Sequence, residues 1–430
     1  MKHLRRTLIV LAVTALGAGG GWAQEIEPLT LAESVDHALA HNPRLSAARE
    51  RIEATASRIG QASAAMRPQL DARAGYTDSE PAGRDLRNYS ALLSARQLLY
   101  DSGETDARTA QARSQRDAII ADLRALELDI ANTAATEYFG ALRARRLVEV
   151  AVEVRDQARE HHSLAKARYE AGTVARADVL RAEVEVARAH LDVISAEKTE
   201  ELARARLRKT LGIGQDRELR LADIEPTFPP VIDRATAFGA ARTNRSELIA
   251  IDAEIAAGEA AVRAAKASSR PEVALQGDWG ARENDFPPGD EAWTIGLTAS
   301  TSIFDGGLTR KRVDEARANV RVLQADRDEQ ARLIDLEIAE ALLNEREARQ
   351  RIELAEEEVA LARHSMEVSS GRYRVGEATQ VELIDTRTAL SRALATQAEA
   401  LYDYHRARAD VARAMGLLPG TEAYEELPQE

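Results

Sequence analysis

Hydrophobic and polar positions along this chain follow two periods, and each period occurs twice. Over residues 104–170, Leu123, Leu126, Ile130, Ala134, Tyr138 and Leu142 advance in steps of three or four, and the segment holds no proline and a single glycine. The spacing predicts one uninterrupted helix of about 67 residues, which at roughly 1.5 Å per residue reaches about 100 Å, far more than a globular domain needs. Residues 308–374 repeat the pattern, with Ile334, Ile338 and Leu342 on one face. Each long helix turns at a glycine, Gly172 or Gly376, and returns through 177–211 or 379–416, so two antiparallel helical hairpins are expected. A plain coiled-coil rod would share this periodicity. Alanine at many apolar positions permits close packing without fixing how many helices meet.

The second period is two. Trp293, Ile295, Leu297, Ala299, Thr301 and Ile303 alternate with Thr294, Gly296, Thr298, Ser300 and Ser302, while Tyr89, Ala91, Leu93, Ala95 and Leu99 oppose Ser90, Ser94 and Arg96. The preceding segments alternate too: Leu70, Ala72, Ala74 and Tyr76 against Asp71, Arg73 and Gly75, and Val273, Leu275 and Trp279 against Glu272, Gln276 and Asp278. These patterns predict β-hairpins at 69–100 and 272–304, apolar on one face and small and polar on the other. Spans of about 9 to 11 residues suit a strand tilted across a bilayer. Tyr76, Tyr89, Trp279 and Trp293 stand at the loop ends of the strands, and Tyr100 and Phe304 at the helix ends, as two interfacial girdles would. Strict alternation puts Tyr100 and Phe304 on the polar face unless the strands bend there. The loops 77–88 and 281–292, with Pro81, Pro287 and Pro288, are polar enough to face solvent. Two surface hairpins on a soluble domain are the plainer alternative.

The two halves are copies in register. Arg168-Tyr169-x-x-Gly172 returns as Arg372-Tyr373-x-x-Gly376, Leu99-Tyr100-Asp101-Ser102-Gly103 as Ile303-Phe304-Asp305-Gly306-Gly307, and Leu211-Gly212 as Met415-Gly416, all 204 residues on. Arg67-Pro68 and Arg270-Pro271 follow at an offset of 203. The domain reading is therefore a first repeat at 24–225, a proline-rich linker at 226–233 and a second repeat at 234–418, with a tail at 419–430. Each repeat runs helix, β-hairpin, long helical hairpin, the last at 104–211 and 308–416; in the first, residues 43–67 form the leading helix and Pro68 stops it.

Composition places the chain. Of 430 residues 30% are charged and only 4% aromatic, which argues against ordinary globular cores, and the net charge of −13 offers no field to hold nucleic acid. Cysteine is absent, so disulfides, thiolate metal sites and an N-terminal lipid on cysteine are excluded. Lys2, Arg5 and Arg6, then the apolar Leu8–Leu16, then Gly21-Trp22-Ala23 read as a signal peptide at 1–23, cleaved before Gln24; an uncleaved anchor is the alternative. Cleavage leaves 55 basic against 71 acidic residues. No later segment is an apolar helical span, so any membrane crossing is by β-strands. Four strands do not close a barrel; two copies give eight, too tight for a pore, and three give twelve with a lumen.

At this point the sequence resembles the TolC family of outer membrane efflux proteins. The residues that carry it are Ala38-Leu39-x-x-Asn42-Pro43-x-Leu45, the doubled Tyr/Phe-Asp-Ser/Gly-Gly at 100–103 and 304–307, Arg168-Tyr169-Glu170-Ala171-Gly172 and Arg372-Tyr373-x-x-Gly376. Singly these motifs are weak; in this order and doubled they are specific. The resemblance implies a mainly α chain with membrane β-strands. It implies a homotrimer with a shared twelve-stranded β-barrel in the outer membrane lipid, continued by a twelve-helix α-barrel across the periplasm. It further implies exit-duct work for a tripartite efflux pump or type I secretion system. The partners would be a periplasmic adaptor and an inner-membrane transporter of RND, ABC or MFS type, without catalysis, cofactor or metal.

The family carries an acidic pair just after the second tip glycine that narrows the periplasmic entrance, and the matching positions here are Glu382 and Asp385, three apart on one helical face. Three copies would stack two rings of three carboxylates, which repel anions and attract cations. Asp178 and Tyr373 match family positions that hold the entrance shut. Where the family's type member has an arginine two residues beyond the tip glycine this chain has Ala378, leaving Arg181 or Arg374 as substitutes. By spacing alone, Glu382 and Asp385 also read as two acids on a solvated face. The tips Gly172, Thr173, Val174, Gly376, Glu377 and Ala378 are the positions expected to touch the adaptor, or they serve turn chemistry only. His37 and His41, and His161 beside His162, lack any metalloprotease, phosphate-loop or nucleophile motif and are read as surface residues. A periplasmic coiled-coil adaptor or scaffold is the competing function; it would share the signal peptide and helical hairpins but not a duplicated pair of membrane-length β-hairpins.

Overall fold

The computed structural model describes residues 28–79, 86–224, 228–229, 232–283, 286, 288–289 and 291–419. The signal peptide, the linker residues 225–227 and 230–231, Pro81, Pro287 and most of the tail lie outside the described residues. Two short helices the sequence reading did not separate, α1 (Leu31–His41) and α5 (Arg234–Asn244), precede α2 (Pro43–Ser63) and α6 (Ser246–Ala267). The strands are β1 (Gln69–Ser79), β2 (Leu86–Tyr100), β3 (Glu272–Glu283) and β4 (Glu291–Ser300). The long hairpins are α3 (Glu104–Glu170) with α4 (Arg176–Leu211), and α7 (Leu308–Val375) with α8 (Gln380–Ala414). Among the described residues no helix is long and apolar enough to cross a membrane.

The doubled motifs acquire physical reasons. Asn42 ends α1 and caps α2, its side chain accepting from the Arg44 amide at 2.9 Å, and Pro43 takes the first helical position, where a missing N–H costs nothing. In the second repeat Arg245 stands at this joint, 2% exposed, donating to Glu247 and Glu337 at 2.8 and 2.7 Å and to the Ala414 carbonyl. Gly212 and Gly416 end α4 and end the turn after α8; a Cβ on either would press on the backbone of His41 or Asn244, so glycine lets each long hairpin dock on the short helix of its own repeat. Around these joints lie the two main cores. Val35, Ala38 and Leu45 meet Ala131, Tyr138, Leu142, Leu207 and Leu211 in one, and Ala237, Ala241, Ile334, Ile338 and Met415 form the other. The Tyr138 hydroxyl donates to the carbonyls of Leu29 and Ala222, at 3.1 and 2.7 Å, and ties both outer segments to α3.

The strands form one antiparallel sheet in chain order. Register aligns the apolar positions of all four: Tyr76 faces Tyr89, Leu93 faces Trp279, Trp279 faces Trp293, and Leu275 faces Leu297. One face is thus continuously apolar and outward, with Leu70, Trp293, Ile295 and Leu297 at least 65% exposed. The other carries Asp71, Arg73, Ser90, Ser94, Gln276, Asp278 and Thr294, with Ser94 donating to Asp278 at 2.8 Å. A bulge at Leu99 settles Tyr100: Leu98 pairs with Ala274 but Tyr100 pairs with Val273, so the extra residue returns Tyr100 to the apolar face. The expected hairpin 272–304 needs correction, because β4 ends at Ser300 and Thr301 to Phe304 lie outside it. Ile303 and Phe304 are 96% and 88% exposed. β3 begins at Glu272, opposite Ser300, so it offers no strand residue to pair with Thr301 and those after it.

Each strand-to-helix turn is built by its aspartate. Asp101 accepts from the amides of Gly103 and Thr105, at 3.0 and 2.6 Å, and Asp305 accepts from Gly307 and Thr309 at 2.9 and 2.8 Å. The glycines at 103 and 307 take positive φ of 85° and 87°. The doubled motif is therefore a cap that starts a helix of 67 or 68 residues where a strand stops.

Candidate functional site

The two tips of the helical hairpins converge at the end of the molecule farthest from the sheet. At the first, the Thr173 amide and hydroxyl both donate to the Arg168 carbonyl at 2.9 Å; at the second, the Glu377 amide donates to the Arg372 carbonyl at 2.8 Å. Thr379 then caps α8 by accepting from the Glu382 amide at 3.2 Å. Gly172, Thr173, Gly376 and Glu377 are exposed, and Val174 and Ala378 half-buried.

Side-chain hydrogen bonds near the tips help tie the hairpins together. Arg168 donates to the Tyr373 carbonyl at 2.7 Å, with its guanidinium 5.0 Å above the Tyr373 ring, and Gln380 donates to the Asp178 carbonyl at 2.8 Å. Tyr373 is 4% exposed, packed against the His161 ring at 5.4 Å, and its hydroxyl has no partner among the described residues. Tyr373 and Asp178 share this end of the molecule, but no hydrogen bond joins their side chains. Arg181 sits 3.6 Å from Asp178 on the same helix, while Arg374 reaches only the Ser370 carbonyl, at 3.4 Å. Neither substitute latch arginine links the hairpins of this chain.

Glu382 is compensated: Arg372 lies 2.7 Å from its carboxylate and also donates to the Glu377 carbonyl at 3.2 Å. Asp385, one turn on, is exposed and without an ion pair among the described residues. The expected acidic pair is thus one masked and one open carboxylate. The surface reading of His161 is wrong: it is 4% exposed, and burial, with the nearby cations Arg387 and His162, pushes its pKa down to about 4. Arg168, Arg372, His161 and Gln380 were missed by sequence reasoning. Only the arginines left a signal, as the first letter of the doubled Arg-Tyr motif.

At the opposite end the aromatics pair as well. The Tyr76 and Tyr89 rings lie 5.0 Å apart and Tyr89 and Phe286 5.3 Å apart, beside the Trp279–Trp293 cross-strand pair. Tyr100 and Phe304 stand at the other rim, 56% and 88% exposed. No group of acids and histidines suited to a metal occurs among the described residues.

An apolar sheet face rimmed by aromatics, above long helices that end in polar tips, has close counterparts. The family model described as outer membrane efflux protein matches residues 34–213 and 238–417. The chain belongs to the outer membrane efflux protein family. Protein CyaE of Bordetella pertussis is 32% identical over 72% of this chain and 68% of its own. Outer membrane protein TolC of Escherichia coli is 24% identical over 97% of this chain and 87% of its own. The solved outer-membrane channel OprN shares the fold, with a TM-score of 0.78 at 23% identity over 90% and 89% of the two chains. This family member is accordingly an outer membrane efflux channel, with its sheet in the outer membrane and its long helices in the periplasm. Its family and structural neighbours are channels rather than enzymes.

Proposed function

We propose that three copies close into one duct that passively conducts substrate from a periplasmic adaptor and inner-membrane transporter to the exterior, through an entrance lined by Asp385 and Glu382. The observation that carries closure is the pair of unlike edges on this chain. The sheet ends in β1 on one side and β4 on the other, and open edges are not tolerated in hydrocarbon. Below it, α3 and α8 pack on each other and leave α4 and α7 as the outer helices. Both outer helices bare apolar residues. On α7, Leu354, Leu361, Val368 and Val375 recur every seventh residue, between 46% and 72% exposed; on α4, Leu180, Val184, Leu191, Ile194 and Leu202 are 49% to 65% exposed. A seven-residue apolar stripe seeks a partner helix, and an edge carrying β4 and α7 fits the β1 and α4 edge of the next copy in a ring. Twelve strands then leave a lumen.

The exposed tips at Gly172–Val174 and Gly376–Ala378 are the surface the duct offers to an adaptor. Single-channel recording of the detergent-purified protein, with its mass determined in parallel, tests the reading. Cation-selective steps from a three-chain species, less selective in Asp385→Asn, are expected. A monomeric species would reject closure, and unchanged selectivity in Asp385→Asn would reject the constriction.

A further inference from the structure

We propose that a cationic cavity at the junction of sheet and helices binds the phosphate of an anionic lipid headgroup from the periplasmic leaflet of the outer membrane. The cavity, of about 360 Å³, lies between the start of α3 and the end of α6. Arg263 and Lys266, at i and i+3 on α6, and Arg270 in the turn that follows line it, all three exposed and none in an ion pair among the described residues. Asp106 is the one acid in the lining. The walls are held by Ser102, whose hydroxyl donates to the Pro271 carbonyl at 2.7 Å and fastens the β2–α3 turn to the α6–β3 turn. Three uncompensated cations converging on one cavity are unusual in a chain with 71 acids against 58 bases.

Position selects the ligand. The cavity follows the end of β2, which bears Leu99 and Tyr100, and Ile303 and Phe304 stand beyond the corresponding end of β4; each of the four is about half exposed or more, as at the level where a bilayer changes from hydrocarbon to headgroup. A second observation points the same way: α7 starts at this level with Arg310, Lys311 and Arg312 and no acid in its first turn, although the helix dipole disfavours cations there. Among these only Lys311 has an ion pair, with Asp314 at 3.8 Å. Phosphate oxygens would relieve both clusters, because arginine and lysine donate charge-assisted hydrogen bonds to them.

This inference rests on the sheet lying in the membrane, so the assay starts from full-length protein already shown to be a heat-modifiable trimer. Delipidated trimer is titrated with phosphatidylglycerol or phosphatidylcholine of identical acyl chains and followed by native mass spectrometry. Each interfacial cation is worth about a fivefold gain. We expect phosphatidylglycerol to bind at least about tenfold tighter, with the preference fading as salt rises and lost in R263Q/K266Q/R270Q but kept in R188Q near the tips. Equal binding of the two lipids, or an unchanged preference in the triple variant, overturns the proposal. If glycerol 3-phosphate binds as tightly as the lipid, the cavity is a soluble-phosphate site and the lipid assignment falls. Should the triple variant fail to assemble, the salt titration of the wild-type trimer decides, and a preference that survives high salt is not electrostatic.

Discussion

Replacing Arg372 by alanine should make the channel more cation-selective, and the reasoning can be followed charge by charge. Arg372 stands 2.7 Å from Glu382 with the two side chains 48% and 37% exposed, so the pair contributes at most about 1 kcal/mol to stability and its loss leaves the fold intact. Its effect on the field at the entrance is larger. Of two carboxylates per copy, Glu382 is balanced and Asp385 is not, so the proposed ring of three copies would present three net negative charges rather than six. A cation about 8 Å from three carboxylates in water gains roughly 0.5 kcal/mol from each, about tenfold enrichment in all, reduced to a few-fold by 0.1 M salt. Arg372→Ala unmasks three more charges and should raise the permeability ratio of potassium over chloride a few-fold again. Asp385→Asn should collapse it, Glu382→Gln should lower it about as far because it leaves Arg372 unbalanced beside Asp385, and the double change R372A/E382Q should return it to wild type. Reversal potentials in a potassium chloride gradient across a planar bilayer read all five proteins. A selectivity in Arg372→Ala no higher than in wild type, or a double variant that stays as unselective as Glu382→Gln, would refute the masking argument.

Other outcomes follow from the same contacts. His161 is held neutral, with a pKa near 4 against an ordinary 6.5, so the unfolded chain binds more protons between those values and stability rises with pH across that window, falling by about 2 kcal/mol at pH 5; His161→Phe should shrink the difference in thermal midpoint between pH 7.5 and pH 5. Asp305→Ala removes the acceptor for the Gly307 and Thr309 amides and should cost about 1–2 kcal/mol in urea unfolding, with conductance kept in the surviving trimers. Gly280, at φ 152°, has the Ala91 carbonyl where a Cβ would stand, so Gly280→Val should break the β2–β3 ladder and abolish membrane insertion, read by protease accessibility. Leu361→Glu, on a residue 65% exposed in the isolated chain, should leave helicity by circular dichroism unchanged while shifting the mass from trimer to monomer.

Long-period features were legible because they are redundant. The first long helix was bounded at 104–170, where α3 is found, since a 67-residue segment without breakers gives many concordant positions. The strand pattern was equally clear, since a one-residue slip would put charges on the apolar face. What escaped depends on neighbours. The bulge that rescues Tyr100 is a mismatch between β2 and β3, visible only when both strands are in place. The short helices α1 and α5 hide because Asn42-Pro43 and Arg245-Ser246 break the chain without ending the apolar pattern. At the tips, a stripe of charges cannot say which acid is balanced. Arg372 lies ten residues before Glu382, across a turn whose geometry decides the contact.

The tips also show how a duplicated sequence yields unlike halves. Arg168-Tyr169 and Arg372-Tyr373 are the same motif at the same place in each hairpin, yet Tyr169 is 44% exposed and Tyr373 is 4% exposed. The difference lies in what each arginine can reach. Arg168 extends across the hairpins to the Tyr373 carbonyl and lies over that ring, burying it against His161. Arg372 has an acid one turn into its own returning helix, Glu382, whereas the matching position in α4 offers Asp178, already served by Arg181. An acid on the home hairpin keeps Arg372 at home, whereas Asp178, paired with Arg181, leaves Arg168 to bridge. Glu382 therefore breaks the symmetry of the repeat, so that the first hairpin supplies the clasp and the second pairs its charges within itself.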